Sequence, residues 1–186
     1  MAIPTSGDRE DEFRVESAWN HKGEFPMTQR LNYTAIAPAG TKALRSVHGY
    51  IAESGLPSSL VNLVYLRVSQ INGCAYCIDM HSRDLIKKGF AIEKLVLVQA
   101  WREAGGLFDA HERAALACAE TVTRVADTAV PDDEFMAASA VFSEKELADL
   151  TIAIGLMNAY NRLAIGFRNT PSAVRNVDAA RCAEQE

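Results

Sequence analysis

The chain has 186 residues, enough for one domain with a proper core, and its 48% hydrophobic and 23% charged residues are those of a soluble globular protein. A net charge of −5 and the lack of any long basic run exclude a nucleic-acid surface, because phosphate binding needs clustered Lys and Arg. No positive region followed by an apolar stretch opens the chain, so no signal peptide is read and a cytoplasmic location is expected.

Residues 1–26 are polar and aperiodic and read as an N-terminal extension, with Met27 as an alternative start. A helical domain is expected over 27–170, followed by a polar C-terminal tail over 171–186. From Leu31 to Gly40 the chain reads as extended or irregular, punctuated by Pro38 and Gly40. Thr41–Ser54 then carries Leu44, Val47, Tyr50 and Ile51 at helical spacing, and Gly55 and Pro57 end it. Ser58–Gln70 follows, with Leu60, Leu63, Val64 and Val68 on one side. Asn72-Gly73 interrupts the pattern. The next helix is expected from about Cys74 to Lys88, with Asn72 as its N-cap and Gly89 closing it. Residues 91–104 form another, broken by Gly105-Gly106.

Asp109–Glu112 has the spacing of a capping box and opens a helix toward Ala126, and Pro131 starts a further one. Ser143–Glu146 is a second capping box. It opens the most apolar segment, 147–167, in which Asp149, Asn158, Asn161 and Arg162 would be costly in a bilayer. That segment reads as a helix central to a bundle or shared with a second copy, so a homo-oligomer is expected and no membrane span. Asn158, Asn161 and Arg162 would then hydrogen-bond to the neighbouring subunit. The fold expected is all-α, with about seven helices.

The stretch INGCAYCIDMH, 71–81, sets Cys74 and Cys77 three apart and His81 four further on. On a helix Cys77 lies about 60° from Cys74 and His81 about 40° from Cys77, so the three share one narrow face. The cysteine Cα atoms would be ~5 Å apart, within disulfide range, and His81 could exchange a proton with Cys77 directly or through a water. At a helix start, free backbone N–H groups favour a thiolate, the nucleophilic form. Burial alone, or a zinc site, also uses cysteines. Only three ligands are in view, however, and no second C-x-x-C or H-x-x-x-H occurs, so reversible thiol chemistry fits best.

The stretch LVYLRVSQINGCAYCIDMHSRDL resembles the AhpD-like alkylhydroperoxidases of the carboxymuconolactone decarboxylase superfamily. Its core is CAYCIDMH, and the later AWRE, ERAALACAE and MNAYNRLAIGF segments look alike too. The likeness spans roughly 30–168. It implies an all-helical fold assembled as a trimer or hexamer that reduces hydroperoxides through the cysteine pair. Carried over, Cys77 would attack the peroxide, Cys74 would resolve the sulfenic acid, and His81 would belong to the proton relay. No bound cofactor is implied; a lipoylated or thioredoxin-like dithiol would restore the pair. The family's relay usually includes a glutamate twelve residues before the first cysteine, and Asn62 stands there. Asparagine can orient an imidazole but cannot shuttle a proton, with Glu53 and Asp79 the nearby carboxylates. The alternatives are a lyase of the decarboxylase branch, or an oligomer that senses oxidant without turnover.

Of the remaining residues, His48 reads as a core or interface histidine, His21 and His111 as surface, Cys118 as core, Cys182 as an exposed thiol, and Tyr76 as packing.

Overall fold

The computed structural model describes residues 29–183, and the N-terminal extension over 1–26 lies outside the described residues, as does the alternative start at Met27. In chain order the elements are α1 (Tyr33–Ile36), α2 (Pro38–Ala52), α3 (Ser58–Asn72), α4 (Ala75–Lys87) and α5 (Ile92–Leu97). After 3₁₀ turns at Val98–Glu103 and Gly105–Leu107 come α6 (Ala110–Thr123), α7 (Val125–Thr128), α8 (Asp132–Ser139), α9 (Glu144–Gly166) and α10 (Ser172–Ala183). No strand occurs among the described residues, and the all-α expectation holds. The seven expected helices correspond to α2, α3, α4, α5, α6, α8 and α9. The short α1 and α7 and the C-terminal α10 are additional.

α3 sits at the centre, because eight of its fifteen residues are buried, on nearly every side. It packs against α4, α6 and α9. One apolar cluster gathers Ile51, Val64, Val68, Cys74, Cys77, Ile154 and Met157; the other gathers Leu63, Leu66, Leu85, Val98, Trp101 and Leu116. Each large side chain taken from water there contributes roughly 1.5–3 kcal/mol. α3 is therefore the wall between two half-cores.

Both expected capping boxes form, at Asp109–Glu112 and at Ser143–Glu146. Four expectations need correction. Most of the stretch 31–40 is helical, as α1 and the start of α2: Asn32 caps α1 by accepting from Ala35 N at 3.3 Å, and Pro38, its φ pre-set, opens α2. The single helix expected over 91–104 breaks at Ala100 (φ −121°), and a 3₁₀ turn stacks Val98 and Trp101, three apart, on one buried face. The helix expected to run toward Ala126 ends at Thr123, and α7 is separate. The asparagines of α9 bond within the chain. Buried Asn161 accepts from Asn72 Nδ2 (2.9 Å) and donates to Ser69 Oγ (3.1 Å), and Asn158 accepts from Asn72 Nδ2 (3.0 Å). α9 is apolar yet crosses α3 at a polar seam, so its amides are met by another helix of the same subunit.

Candidate active site at a buried cysteine pair

The turn into α4 is built by Gly73, whose left-handed φ of 70° closes α3 and turns the chain. The Cys74 N–H then donates to the Ser69 carbonyl at 2.9 Å. The N-cap of α4 is Cys74 itself, and Asn72, expected in that place, is the last residue of α3. Cys74 has extended backbone angles (φ −84°, ψ 91°), and its Sγ accepts from the Cys77 N–H at 3.4 Å. The helical-wheel angle from Cys74 therefore does not apply, because Cys74 is not helical. The two sulfurs converge through the cap.

Both cysteines are free and buried. A hydrogen bond from the Cys77 thiol, together with the backbone N–H groups of Cys77 and Tyr76, holds the Cys74 thiol down at about 7. Cys77 is pushed the other way, far above the ordinary thiol range, because it gives its proton to Cys74 and is itself buried beside that charge. Of the two, Cys74 is the more readily ionised and Cys77 holds its proton the more firmly. The nearby Asn161 amide favours the anion at both sulfurs, and the Ser69 hydroxyl favours it at Cys77. Neither Asn161 nor Ser69 stood out in the sequence as part of a site; a fully buried amide in an apolar helix was the available signal.

His81 is buried one turn further along α4. Its Nδ1 lies 3.1 Å from Asn62 Oδ1, so the position where the family carries glutamate does touch the histidine. Asn62 Nδ2 donates to the Ser58 carbonyl at 2.8 Å, which turns Oδ1 toward the ring. An acceptor facing Nδ1 requires Nδ1 to carry the hydrogen, leaving a bare lone pair on Nε2. Burial lowers the His81 pKa to about 4, with Asp84 opposing the shift and His48 adding to it. His81 is a neutral imidazole.

Nε2 makes no hydrogen bond, to Cys77 or to any other group, so a proton passing between that nitrogen and the sulfur needs a bridging group. Neither suggested carboxylate reaches the ring. Asp79 accepts from Arg83 (2.8 Å) and from the first turn of α10 at Ala173 N (3.2 Å), and Glu53 caps α2. The carboxylate that acts on His81 is Asp84.

Two cavities meet here. Cys77 lines one of about 270 Å³ with Tyr33, Arg45, Tyr76 and Tyr160, so Tyr76 borders the same cavity as Cys77 as well as packing. His81, Asn62 and Tyr65 line the other, of about 480 Å³, and His48 and Met80 border both. His48 is exposed, not core, and its ring stacks on Tyr65. His111 is exposed and Cys118 is half-buried against the core, whereas His21 lies outside the described residues. No three His, Cys, Asp or Glu side chains among the described residues gather where they could hold a metal ion.

The model of the carboxymuconolactone decarboxylase family matches residues 38–121, the run from α2 through α6 that carries the pair, Asn62 and His81. The uncharacterized protein YdfG of Bacillus subtilis is 34% identical over 143 residues, covering 77% of this chain and 97% of its own. The chain belongs to that family, as an AhpD-like member. A crystal structure of an Agrobacterium tumefaciens protein of unknown function, for which an AhpD-type antioxidant role has been suggested, superposes with a TM-score of 0.74 at 38% identity. It covers 77% of this chain and 98% of its own. An uncharacterized peroxidase-related protein from Silicibacter sp. TM1040 gives a TM-score of 0.66 at 22% identity over 75% of this chain and 73% of its own, which shows a common fold alone. No helix among the described residues is long and apolar enough to cross a membrane.

Proposed function

We propose that this AhpD-like chain reduces organic hydroperoxides, with Cys74 and Cys77 as a redox pair renewed by an external dithiol, lipoylated or thioredoxin-like. The observation that carries the reading is geometric: two free, buried thiols converge at the start of α4, with Cys77 on the wall of a cavity. Cys77 passes its proton to Cys74, and the Cys77 thiolate so formed attacks the terminal peroxide oxygen as the O–O bond breaks. The alkoxide takes that proton back from Cys74 and leaves as alcohol, and Cys77 becomes a sulfenic acid, oxidised by two electrons. The Cys74 thiolate then attacks Cys77 sulfur. Hydroxide departs, takes a proton as water, and the Cys74–Cys77 disulfide remains until the dithiol returns two electrons and two protons. The chain acts as a homo-oligomer in the cytoplasm; α9 keeps Ile152 and Ile165 exposed on a helix otherwise central to the core.

His81 supplies a basic nitrogen, and Asn62 fixes its tautomer. A glutamate at 62 would also take the Nδ1 proton and support an imidazolium, and Asn62 cannot. That difference favours a second reading, an oxidant sensor that forms the disulfide once and does not turn over. Consumption of an organic hydroperoxide by the reduced protein, with dihydrolipoamide in excess, separates the two. The peroxidase reading expects sustained turnover that Cys77→Ser abolishes without loss of helical content. One stoichiometric oxidation supports the sensor, and full activity in Cys77→Ser overturns the cysteine chemistry.

A further inference from the structure

The cavity that Cys77 lines is walled by α1, α2, α4 and α9, and it runs from an exposed rim to a buried floor. Arg45 and His48, three apart on α2, are exposed, and Tyr33 and Tyr160 are half-buried. Cys77 and Met157, each 2% exposed, form the floor. Among the described residues no Asp, Glu or Lys lines this space, so the Arg45 guanidinium is its fixed charge.

Nothing close by along the chain neutralises that charge. One turn away on α2 stand Thr41, Lys42, His48 and Gly49, so helical spacing supplies no carboxylate. Among the described residues the Arg45 side chain makes no hydrogen bond or ion pair, and the hydroxyls of Tyr76 and Tyr160 make no hydrogen bond. The charge does reach into the cavity. Burial raises the Tyr160 phenol above its ordinary value, and the Arg45 guanidinium opposes the rise. The chain carries 24 Asp and Glu against 19 Lys and Arg, so a cation without an acidic partner runs against the surplus.

The rest of the wall says what kind of anion fits. A guanidinium meets a carboxylate through two parallel N–H groups, and low-dielectric walls strengthen that pairing. One guanidinium balances one negative charge, which suits a carboxylate better than a phosphate near its second ionisation. The rings of Tyr33, Tyr76 and Tyr160 and the thioethers of Met80 and Met157 suit a flat apolar body. A volume of about 270 Å³ is at the small end of ligand pockets, enough for a body of about one ring.

We propose that this cavity takes a small organic carboxylate, its charge paired with Arg45 at the rim and its apolar body laid among the tyrosines toward Cys77. Arg45 is then a specificity-determining residue of the cysteine site. That the ligand carries a hydroperoxide at the end facing Cys77 rests on the peroxidase reading; that it carries a carboxylate does not.

The test titrates the reduced protein calorimetrically with phenylacetate and with phenylacetamide, which differ in charge and hardly in shape. Phenylacetate is expected to bind at least about fivefold more tightly, between the worth of an exposed ion pair and that of a buried charged hydrogen bond. The difference should shrink as salt is raised to about 0.5 M. Arg45→Gln should bring phenylacetate down to the affinity of phenylacetamide, which itself stays the same, and Arg45→Lys should keep part of the preference. Phenylacetate added before N-ethylmaleimide should slow alkylation at Cys77, read from fragment masses. Equal affinity of the two ligands, a preference that survives Arg45→Gln, no binding of either ligand, or binding that leaves Cys77 alkylation unchanged overturns the proposal. Neither ligand is a peroxide, and turnover by the unmodified protein is read separately. A carboxylate preference without turnover keeps the site and discards the peroxidase, and turnover without the preference does the reverse.

Discussion

Two polar clusters are buried against α3 on opposite sides of the molecule, and they are finished differently. Near the second half-core, Glu120 Oε1 accepts from Arg67 Nε (2.9 Å) and Trp101 Nε1 (3.0 Å), and Oε2 accepts from Arg102 Nη1 (2.6 Å). Near the cysteines, His81 is bonded on one side by Asn62 and bare on the other, with the unpartnered Tyr65 hydroxyl beside it. Both clusters cost desolvation. Only the first recovers it within the chain.

The largest expected difference between the clusters is in pH dependence. His81 falls to about 4 in the folded chain from an ordinary 6.5, through burial. Between those values the unfolded chain binds a proton that the folded chain refuses, so stability is undiminished above pH 6.5 and declines as pH drops toward 4. The total is about 3 kcal/mol. Denaturant midpoints across that window should show the decline in the native sequence and a much flatter profile in His81→Gln. Equal slopes in the two proteins would mean that His81 is hydrated and titrates normally.

The Glu120 cluster responds to a broken pair. Glu120→Gln removes the charge that neutralises Arg67, whose side chain is 11% exposed. Stranding a buried charge costs up to 3–5 kcal/mol, and the half-exposed Arg102 tempers it here, so about 2 kcal/mol is expected at neutral pH. Urea unfolding measures it. Glu120 lies below its ordinary value: burial opposes this, and the hydrogen bonds from Trp101 and Arg67 with the charges of Arg67 and Arg102 outweigh it. Its stabilisation is therefore present above the unfolded carboxylate range and is lost as pH falls through the lower folded value. The two clusters fail in acid for different reasons, one by losing a charge and the other by being forced to gain one.

Much of this was legible from residue order. The two capping boxes and the break at Asn72-Gly73 follow from local rules acting within a few residues, whereas the meeting of His81 with position 62, 19 residues earlier, came from the family resemblance. What escaped was set by contacts far apart in the chain. Asn72 has the better capping chemistry, yet Asn161, 89 positions on, takes its amide and Cys74 does the capping. Tyr65 reads as one more apolar residue of α3 until its hydroxyl is found beside His81. Asp84, three residues after His81, could have been found from helical spacing, and a polar residue amid solvated lysines drew no notice.

The smallest expected effect discriminates most sharply. If Tyr65 Oη is unpartnered in the folded chain, Tyr65→Phe removes a hydroxyl that was solvated when unfolded and unmet when folded. Nothing is lost from the fold, and stability should stay within about 0.5 kcal/mol of the native sequence or rise slightly. A matched deletion in the other cluster, Trp101→Phe, removes a donor that Glu120 uses together with part of a buried ring, and it must cost more. A loss above about 1.5 kcal/mol for Tyr65→Phe would mean that the hydroxyl is satisfied within the protein, and the contrast between the clusters would collapse. Near-zero cost to folding beside a clear loss for Trp101→Phe would separate a hydroxyl that the fold leaves unmet from a donor that the fold uses, even though both are buried to a similar depth.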